Sequence, residues 1–318
     1  MATRTNTPTR IERDPTPFSH RGGPMGVVLV HGFSGTPGEL RPLAERLARL
    51  GYSVEAPLLA GHGGSQEELA AVTWRDWVAS ARRALEDLRG RCPTVALVGF
   101  SMGGAITLSI AADDGDGGDD GDGGDDGNGG DDGDGGDDGD GGDGASRAGR
   151  GIAGIVTMSA LTRINNPLTV LLPVARRVMP YIYPLRLRGI DLSKPEVIER
   201  LRDYIPDLQV DPTKPEEIAA LRGAIKVSVG AVYQLDALLR HTRASLPRVT
   251  APALLIQATH DEQIPRSSID EIYRRIGSRD KKAVRLALSG HMVLAGPERA
   301  EVLAQVEAFL ERIGQTGA

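Results

Sequence analysis

Thr94-Val95-Ala96-Leu97-Val98-Gly99-Phe100-Ser101-Met102-Gly103-Gly104 runs directly into Ala105-Ile106-Thr107-Leu108. A β-branched and aliphatic run ends in Gly-Phe-Ser-Met-Gly and gives way to helix-forming residues, so the stretch reads as strand, sharp turn, helix. Gly99 and Gly103 stand where so tight a turn brings backbone against backbone, leaving no room for a Cβ. Ser101 is thereby lifted above the sheet on a strained backbone. A Gly-x-Ser-x-Gly string also arises by chance in glycine-rich turns. Here the flanking strand and helix supply the context that gives the serine a chemical role.

Upstream, Met25-Gly26-Val27-Val28-Leu29-Val30 is continuously apolar, as expected of a strand buried between helices in a parallel sheet. It ends in His31-Gly32-Phe33-Ser34-Gly35, and the glycines let this loop fold back so that the Phe33 N–H faces the reacting oxygen. His31, beside the strand end, reads as a packing residue in preference to a base. Leu40, Leu43, Leu47 and Leu50 recur at helical spacing until Gly51, and Tyr52 to Ala56 reads as the next strand. In the loop Gly61-His62-Gly63-Gly64, His62 reads as a turn residue in preference to a wall of the site. Thr73 is positioned to cap a helix reaching Arg89, with Trp74 and Trp77 on its core face.

Downstream of the serine helix, Asp-Asp-Gly-Asp-Gly-Gly repeats five times from Asp113, broken only by Asn128. With no apolar side chain to bury, the segment is expected to be disordered. It lacks both the twelfth-position glutamate of an EF-hand and the periodic large apolar residue of a calcium β-roll, so diffuse cation attraction is expected rather than specific calcium binding. A right-handed crossover places the insert on the side of the sheet away from Ser101. The next strand is Ile152 to Met158. From Ala160 to about Arg248 the strand-helix alternation stops; prolines recur and one long helical pattern runs through Ile218, Leu221, Ile225, Val229, Val232, Leu235 and Leu238. This region is expected to form a helical cap over the site, with Tyr181 and Tyr183 near an acyl pocket.

The sheet resumes at Ala253 to Gln257 and ends in Ala258-Thr259-His260-Asp261-Glu262. A helix follows from about Ser267, then a strand from Lys282 to Leu288, the loop Ser289-Gly290-His291-Met292, and a closing helix from Pro297. Three reactive groups thus stand at three strand ends in the order Ser101, Asp261, His291. A serine hydroxyl needs a base at neutral pH; His291 can take its proton, and Asp261 can hold the imidazole tautomer. His260 and Glu262 compete with Asp261 for that role through a one-residue shift.

The 318 residues suffice for a large core. One cysteine, Cys92, excludes an internal disulfide, and the polar N-terminus lacks the apolar region of a secretory signal, so a cytoplasmic location is expected. No run reaches the length of a membrane span, so no stable membrane insertion is expected. The net charge of −6 conceals a contrast: 15 aspartates lie between 113 and 144, and elsewhere 37 basic residues outnumber 28 acidic ones. Those bases are scattered, which gives no footprint for nucleic acid. No metal-ligand motif or cofactor fingerprint is present, so none is expected.

The motifs His31-Gly32-Phe33, Gly61-His62-Gly63, Gly99 to Gly104, Ile155 to Met158, Gln257 to Glu262 and Ser289-Gly290-His291 resemble those of bacterial carboxylesterases and monoacylglycerol lipases of the α/β-hydrolase fold. The resemblance extends from about Met25 to Ile313 and leaves out the repeat. It implies Ser101 as nucleophile, Asp261 and His291 as its partners, and the N–H groups of Phe33 and Met102 as an oxyanion hole. It also implies a mostly parallel sheet flanked by helices, with a helical cap inserted before the strand leading to Asp261. The expected division is a flexible N-terminus at 1–17, a core at 18–160 and 249–318 containing the insert 113–144, and a cap at 161–248. The N-terminal region has room for hardly one strand before the His-Gly loop, which leaves the sheet edge open. The expected activity is hydrolysis of short- to medium-chain esters or monoacylglycerols, small-molecule substrates taken without a cofactor. Thioester, lactone and acyl-transfer chemistry share the same acyl-enzyme, and a non-catalytic binding module is the alternative of a different class. Oligomeric state is left open.

Overall fold

The computed structural model describes residues 14–114, 151–186, 190–204 and 208–316. Strands β1 (Phe18–His20) and β2 (Met25–Val30) are followed by a 3-10 turn at Pro37–Leu40 and by α1 (Arg41–Arg49). Next come β3 (Ser53–Ala56), α2 (Gln66–Ala70), α3 (Trp74–Arg89), β4 (Thr94–Phe100), α4 (Met102–Asp114) and β5 (Gly154–Met158). The region after β5 carries α5 (Leu172–Val178), β6 (Tyr181–Ile182), α6 (Pro195–Tyr204), α7 (Pro215–Ala224), β7 (Val227–Ser228) and α8 (Val229–Ser245). The chain then adds β8 (Ala253–Ala258), α9 (Ser268–Arg275), β9 (Lys281–Leu286) and α10 (Arg299–Thr316).

Among the described residues seven strands form one sheet in the order β1-β3-β2-β4-β5-β8-β9. All neighbours are parallel except β1, which pairs antiparallel with β3. The edge left open by the sequence is therefore closed by a single three-residue strand. The central strands are apolar throughout because both faces are covered. Val28, Val30, Val95 and Leu97 point to the layer of α3, α4 and α8, with Trp77 and Ile106. Their alternates Val27, Leu29, Ala96 and Val98 point to α1 and α10, with Leu43 and Leu310. The other edge, β9, sets outward Arg285 between buried Val284 and Leu286 and carries exposed Lys282 near its start, charges that discourage a further strand from pairing there.

Several local expectations change. The long helical pattern from Ile218 to Leu238 is two helices, because Ile225 turns extended and Val227–Ser228 pairs with β6. Ser228 then caps α8 by accepting the Ala231 N–H. Leu50, expected on the core face, lies past the end of α1 and is exposed. The first two aspartates of the repeat are folded residues of α4. Asp113 pairs with Arg82 and Arg248; Asp114 pairs with Arg89 and accepts the Ile152 N–H at 2.8 Å. Residues 115–150, with the rest of the repeat, lie outside the described residues, as do residues 1–13. Asp14 is anchored, accepting from Arg41 at 2.7 Å, while its carbonyl takes the Gly38 N–H.

The region between β5 and β8 rests on the sheet layers through α8. Thr242 donates its hydroxyl to the Ala105 carbonyl, and the Ser228 N–H reaches Gln66. Lys226 pairs with Glu67, and Trp74, half-buried on α3, stacks on His241 at 4.8 Å.

Candidate active site

Ser101 sits between β4 and α4 with φ +54°, the left-handed region that a residue bearing a Cβ avoids. The turn forces it there. A Cβ on Gly99 would come within 2.2 Å of the Gly103 carbonyl oxygen, and one on Gly103 within 2.0 Å of the Val30 carbonyl oxygen. Neither position accepts any side chain, so the two glycines and the strained serine form one unit. Ser101 N–H donates to the Met158 carbonyl at 2.9 Å, fixing the apex to the end of β5.

The parallel sheet brings the loops after β2, β4, β5, β8 and β9 to a single rim. Asp261 follows β8 and is buried, whereas its neighbours His260 and Glu262 are exposed. Its Oδ1 accepts the Gln263 and Ile264 N–H groups at 2.9 and 3.0 Å, and its Oδ2 lies 2.8 Å from His291 Nδ1. An ionised carboxylate only accepts hydrogen bonds, so Nδ1 carries the proton and Nε2 keeps a free lone pair. The His291 ring lies 5.0 Å from that of Phe100, the residue before Ser101.

The loop after β2 presses on the same point: a Cβ on Gly32 would come within 3.3 Å of the Ser101 Cβ. Gly32 donates its N–H to Glu39 at 3.0 Å, which fixes the loop ahead of Phe33. Met102 opens α4, and its N–H is among those with no carbonyl one turn behind. His31 is fully buried; its Nε2 accepts the Leu59 N–H and its Nδ1 donates to the Gly32 carbonyl. Burial, with His62 beside it, pushes the His31 imidazole down to about 3, so it stays neutral and holds the loop. His62 bonds through Nδ1 to the Ala60 carbonyl and sets its ring edge-on to Trp77 at 5.6 Å, a turn and packing residue.

Two side chains outside every recognisable motif hold the His291 loop. Ser159, at φ +48°, donates its hydroxyl to the His291 carbonyl at 3.2 Å. Glu298 accepts the N–H groups of Ala287, Leu288 and Ser289 at 2.8 to 2.9 Å and the Ser289 hydroxyl at 2.8 Å. Burial raises the Glu298 carboxyl, but these donors outweigh it and hold it below the usual range. No local pattern marks either residue, because each acts through a loop distant in the chain.

The profile of the Alpha/beta hydrolase family matches residues 27–306, on both sides of the insert. The chain belongs to that family. This α/β hydrolase is 30% identical over 299 residues to the thermostable monoacylglycerol lipase of Bacillus sp. strain H-257, an alignment covering 94% of this chain and 95% of the relative. It is 24% identical over 301 residues to a carboxylesterase of Bacillus subtilis strain 168, covering 94% and 97%. A solved structure from work on two metagenome-derived lipolytic enzymes, LipS and LipT, superposes with a TM-score of 0.68 at 26% identity, covering 94% of the hydrolase and 98% of that chain.

Proposed function

We propose that this hydrolase cleaves short- to medium-chain carboxylic esters, monoacylglycerols among them, through Ser101, His291 and Asp261. The observation that carries the reading is the 2.8 Å bond between Asp261 and His291 at the rim that also holds the strained Ser101. His291 Nε2 takes the Ser101 proton as Oγ attacks the ester carbonyl, and Asp261 stabilises the imidazolium that forms. The oxyanion is met by the N–H groups of Phe33 and Met102. The proton passes to the leaving alcohol, an acyl-enzyme remains, and water activated by His291 releases the acid. The region 161–248 serves as a cap that shapes the acyl pocket. The Bacillus relatives, named a monoacylglycerol lipase and a carboxylesterase, support an ester substrate.

The test is hydrolysis of p-nitrophenyl esters and monoacylglycerols of graded acyl length, with an acyl-CoA and a lactone alongside. Ester turnover with a stoichiometric burst, lost in Ser101→Ala, is expected. Normal turnover by Ser101→Ala overturns the mechanism, and a preference for the acyl-CoA or lactone overturns the substrate class.

A further inference from the structure

The Phe33 N–H can meet an oxyanion only if the Gly32–Phe33 peptide is turned towards Ser101, and glycine at 32 brings no side chain to limit its own torsions. The direction has to be imposed by neighbours. The carbonyl half of the peptide is held twice: the Gly32 oxygen accepts the His31 Nδ1–H at 2.9 Å and the Gly35 N–H at 3.1 Å. In a trans peptide the N–H points away from the carbonyl, so these bonds aim the Phe33 N–H to the opposite side. The amide before it, the Gly32 N–H, donates to Glu39 Oε2 at 3.0 Å.

The Glu39 carboxylate packs into this loop where no other side chain fits. A Cβ on Gly35 would fall 2.3 Å from each carboxylate oxygen, and one on Gly32 would fall 3.4 Å from Oε2 and 3.3 Å from the Ser101 Cβ. Only the width of Gly32 separates the carboxylate from the nucleophile. The base from which Glu39 reaches is fixed as well. Its N–H bonds to the Thr36 carbonyl and the Gly38 N–H to the Asp14 carbonyl, both at 3.1 Å, and Asp14 pairs with Arg41 at 2.7 Å. The Phe33 ring stands edge-on to Trp77 at 6.0 Å, a contact that holds the ring and leaves the direction of the N–H to Gly32.

We propose that Glu39 is a positioning residue for the oxyanion hole: by holding the Gly32 N–H inside the loop, its carboxylate sets the direction of the Phe33 N–H. The inference rests on the ester reading above, which supplies the reaction that uses the hole. Because Glu39 acts through Gly32, its effect belongs to the step in which negative charge gathers on the carbonyl oxygen and not to binding of the uncharged ester.

Wild type is compared with Glu39→Ala, which strips the Gly32 N–H of its acceptor, and with Glu39→Gln, which restores an acceptor oxygen at the same reach. Glu39→Ala should lower kcat for a soluble p-nitrophenyl ester on the order of tenfold with KM changed less than about twofold, since displacing a donor costs less than the roughly 10² to 10³ of deleting one. A trifluoromethyl ketone gives the second readout. Ser101 Oγ adds to its carbonyl, the proton passes to His291 Nε2, and the former carbonyl oxygen becomes an oxyanion in the hole. Affinity for this ketone should fall by the same factor as kcat/KM, a division between analogue and substrate that general loosening of the structure would not produce. Glu39→Gln should recover most of both losses. Glu39→Asp, one methylene short, should share the pattern of Glu39→Ala and keeps the test open if that variant does not fold. Hydrogen exchange across residues 31–36, read by mass spectrometry, should quicken in Glu39→Ala. Unchanged kcat, a loss confined to KM, or a kcat loss with the ketone bound as tightly as by wild type overturns the inference. Exchange is read without turnover, so a wild type that cleaves no ester overturns the ester reading alone, whereas loop exchange equal in wild type and Glu39→Ala overturns this inference alone.

Discussion

Both the N–H and the hydroxyl of Ser289 donate to one oxygen of Glu298, each at 2.8 Å. Two residues further along that loop stands His291. Glu298 thereby orders the stretch that leads to His291, which makes it a candidate positioning residue.

Replacing Glu298 with Ala should lower kcat more than it raises KM for a soluble ester, by on the order of tenfold, because the histidine loses its alignment while the pocket stays intact. Glu298→Gln, which keeps an acceptor, should recover part of the loss. The sign of the pH effect follows from the lowered carboxyl. Stabilisation by Glu298 is complete above the unfolded value, about 4.3, and disappears as pH falls through the lower folded value. The stability gap between wild type and Glu298→Gln should thus close in acid. Equal gaps at pH 7 and pH 3 would count against the assignment.

His31 should make the fold acid-sensitive. Below about 6.5 the unfolded chain protonates this imidazole, whereas the folded chain resists until about 3, so stability is full above that window and falls as pH is lowered through it. At pH 5 the contribution is on the order of 2 kcal/mol. His31→Gln should be less stable at pH 7.5 yet lose less between pH 7.5 and 5, measured by urea midpoints. Parallel losses in the two proteins would refute the burial argument.

Asp261 and Glu262 offer a direct contrast between adjacent carboxylates. Asp261→Asn should reduce kcat by roughly 10³ or more, since an amide at that place favours the wrong imidazole tautomer. Glu262→Gln, exposed, should change it less than twofold. Comparable losses would mean that the acid partner has been misassigned.

Deleting the repeat should leave ester turnover intact, but the cut must spare its first two aspartates. Removing 115–143 keeps the pairs of Asp113 with Arg82 and of Asp114 with Arg89 and the Ile152 N–H. A deletion from 113 strips the end of α4 and should melt at a lower temperature, by a few degrees. Turnover that depends on calcium only when the repeat is present would argue instead for a regulatory module.

How much of this could be read from the chain depended on whether the signal was local. Thr94 to Gly104 announced strand, turn and helix because sterics act within ten residues, and Asp261 and His291 stood at the ends of strands with clear patterns. The three-residue β1 and the β6-β7 pair were invisible, since so few residues carry no periodicity. The break at Ile225 was missed because helical spacing of apolar residues continued across it while the backbone did not. Glu39, Ser159 and Glu298 act through loops fixed only by the finished fold. Asp113 and Asp114 were hidden inside a low-complexity repeat whose composition obscured their pairing with Arg82 and Arg89 of α3 and with Arg248.

The bond from Ile152 to Asp114 also bears on how such a repeat changes over generations. Asp114 and Ile152, which flank residues 115–150, are thus joined at the far end of α4 from Ser101, about 18 Å along the helix axis. Between two ends already joined, doubling the length of a flexible connection costs only about 0.6 kcal/mol. Slippage of whole six-residue units keeps the reading frame and both anchors, so the gene can gain or lose them with little selection from folding. Each complete unit except the one holding Asn128, however, brings three aspartates. Mutual repulsion, felt most at low ionic strength, sets the ceiling on their number, so salt tolerance is the trait on which tract length should be seen to act.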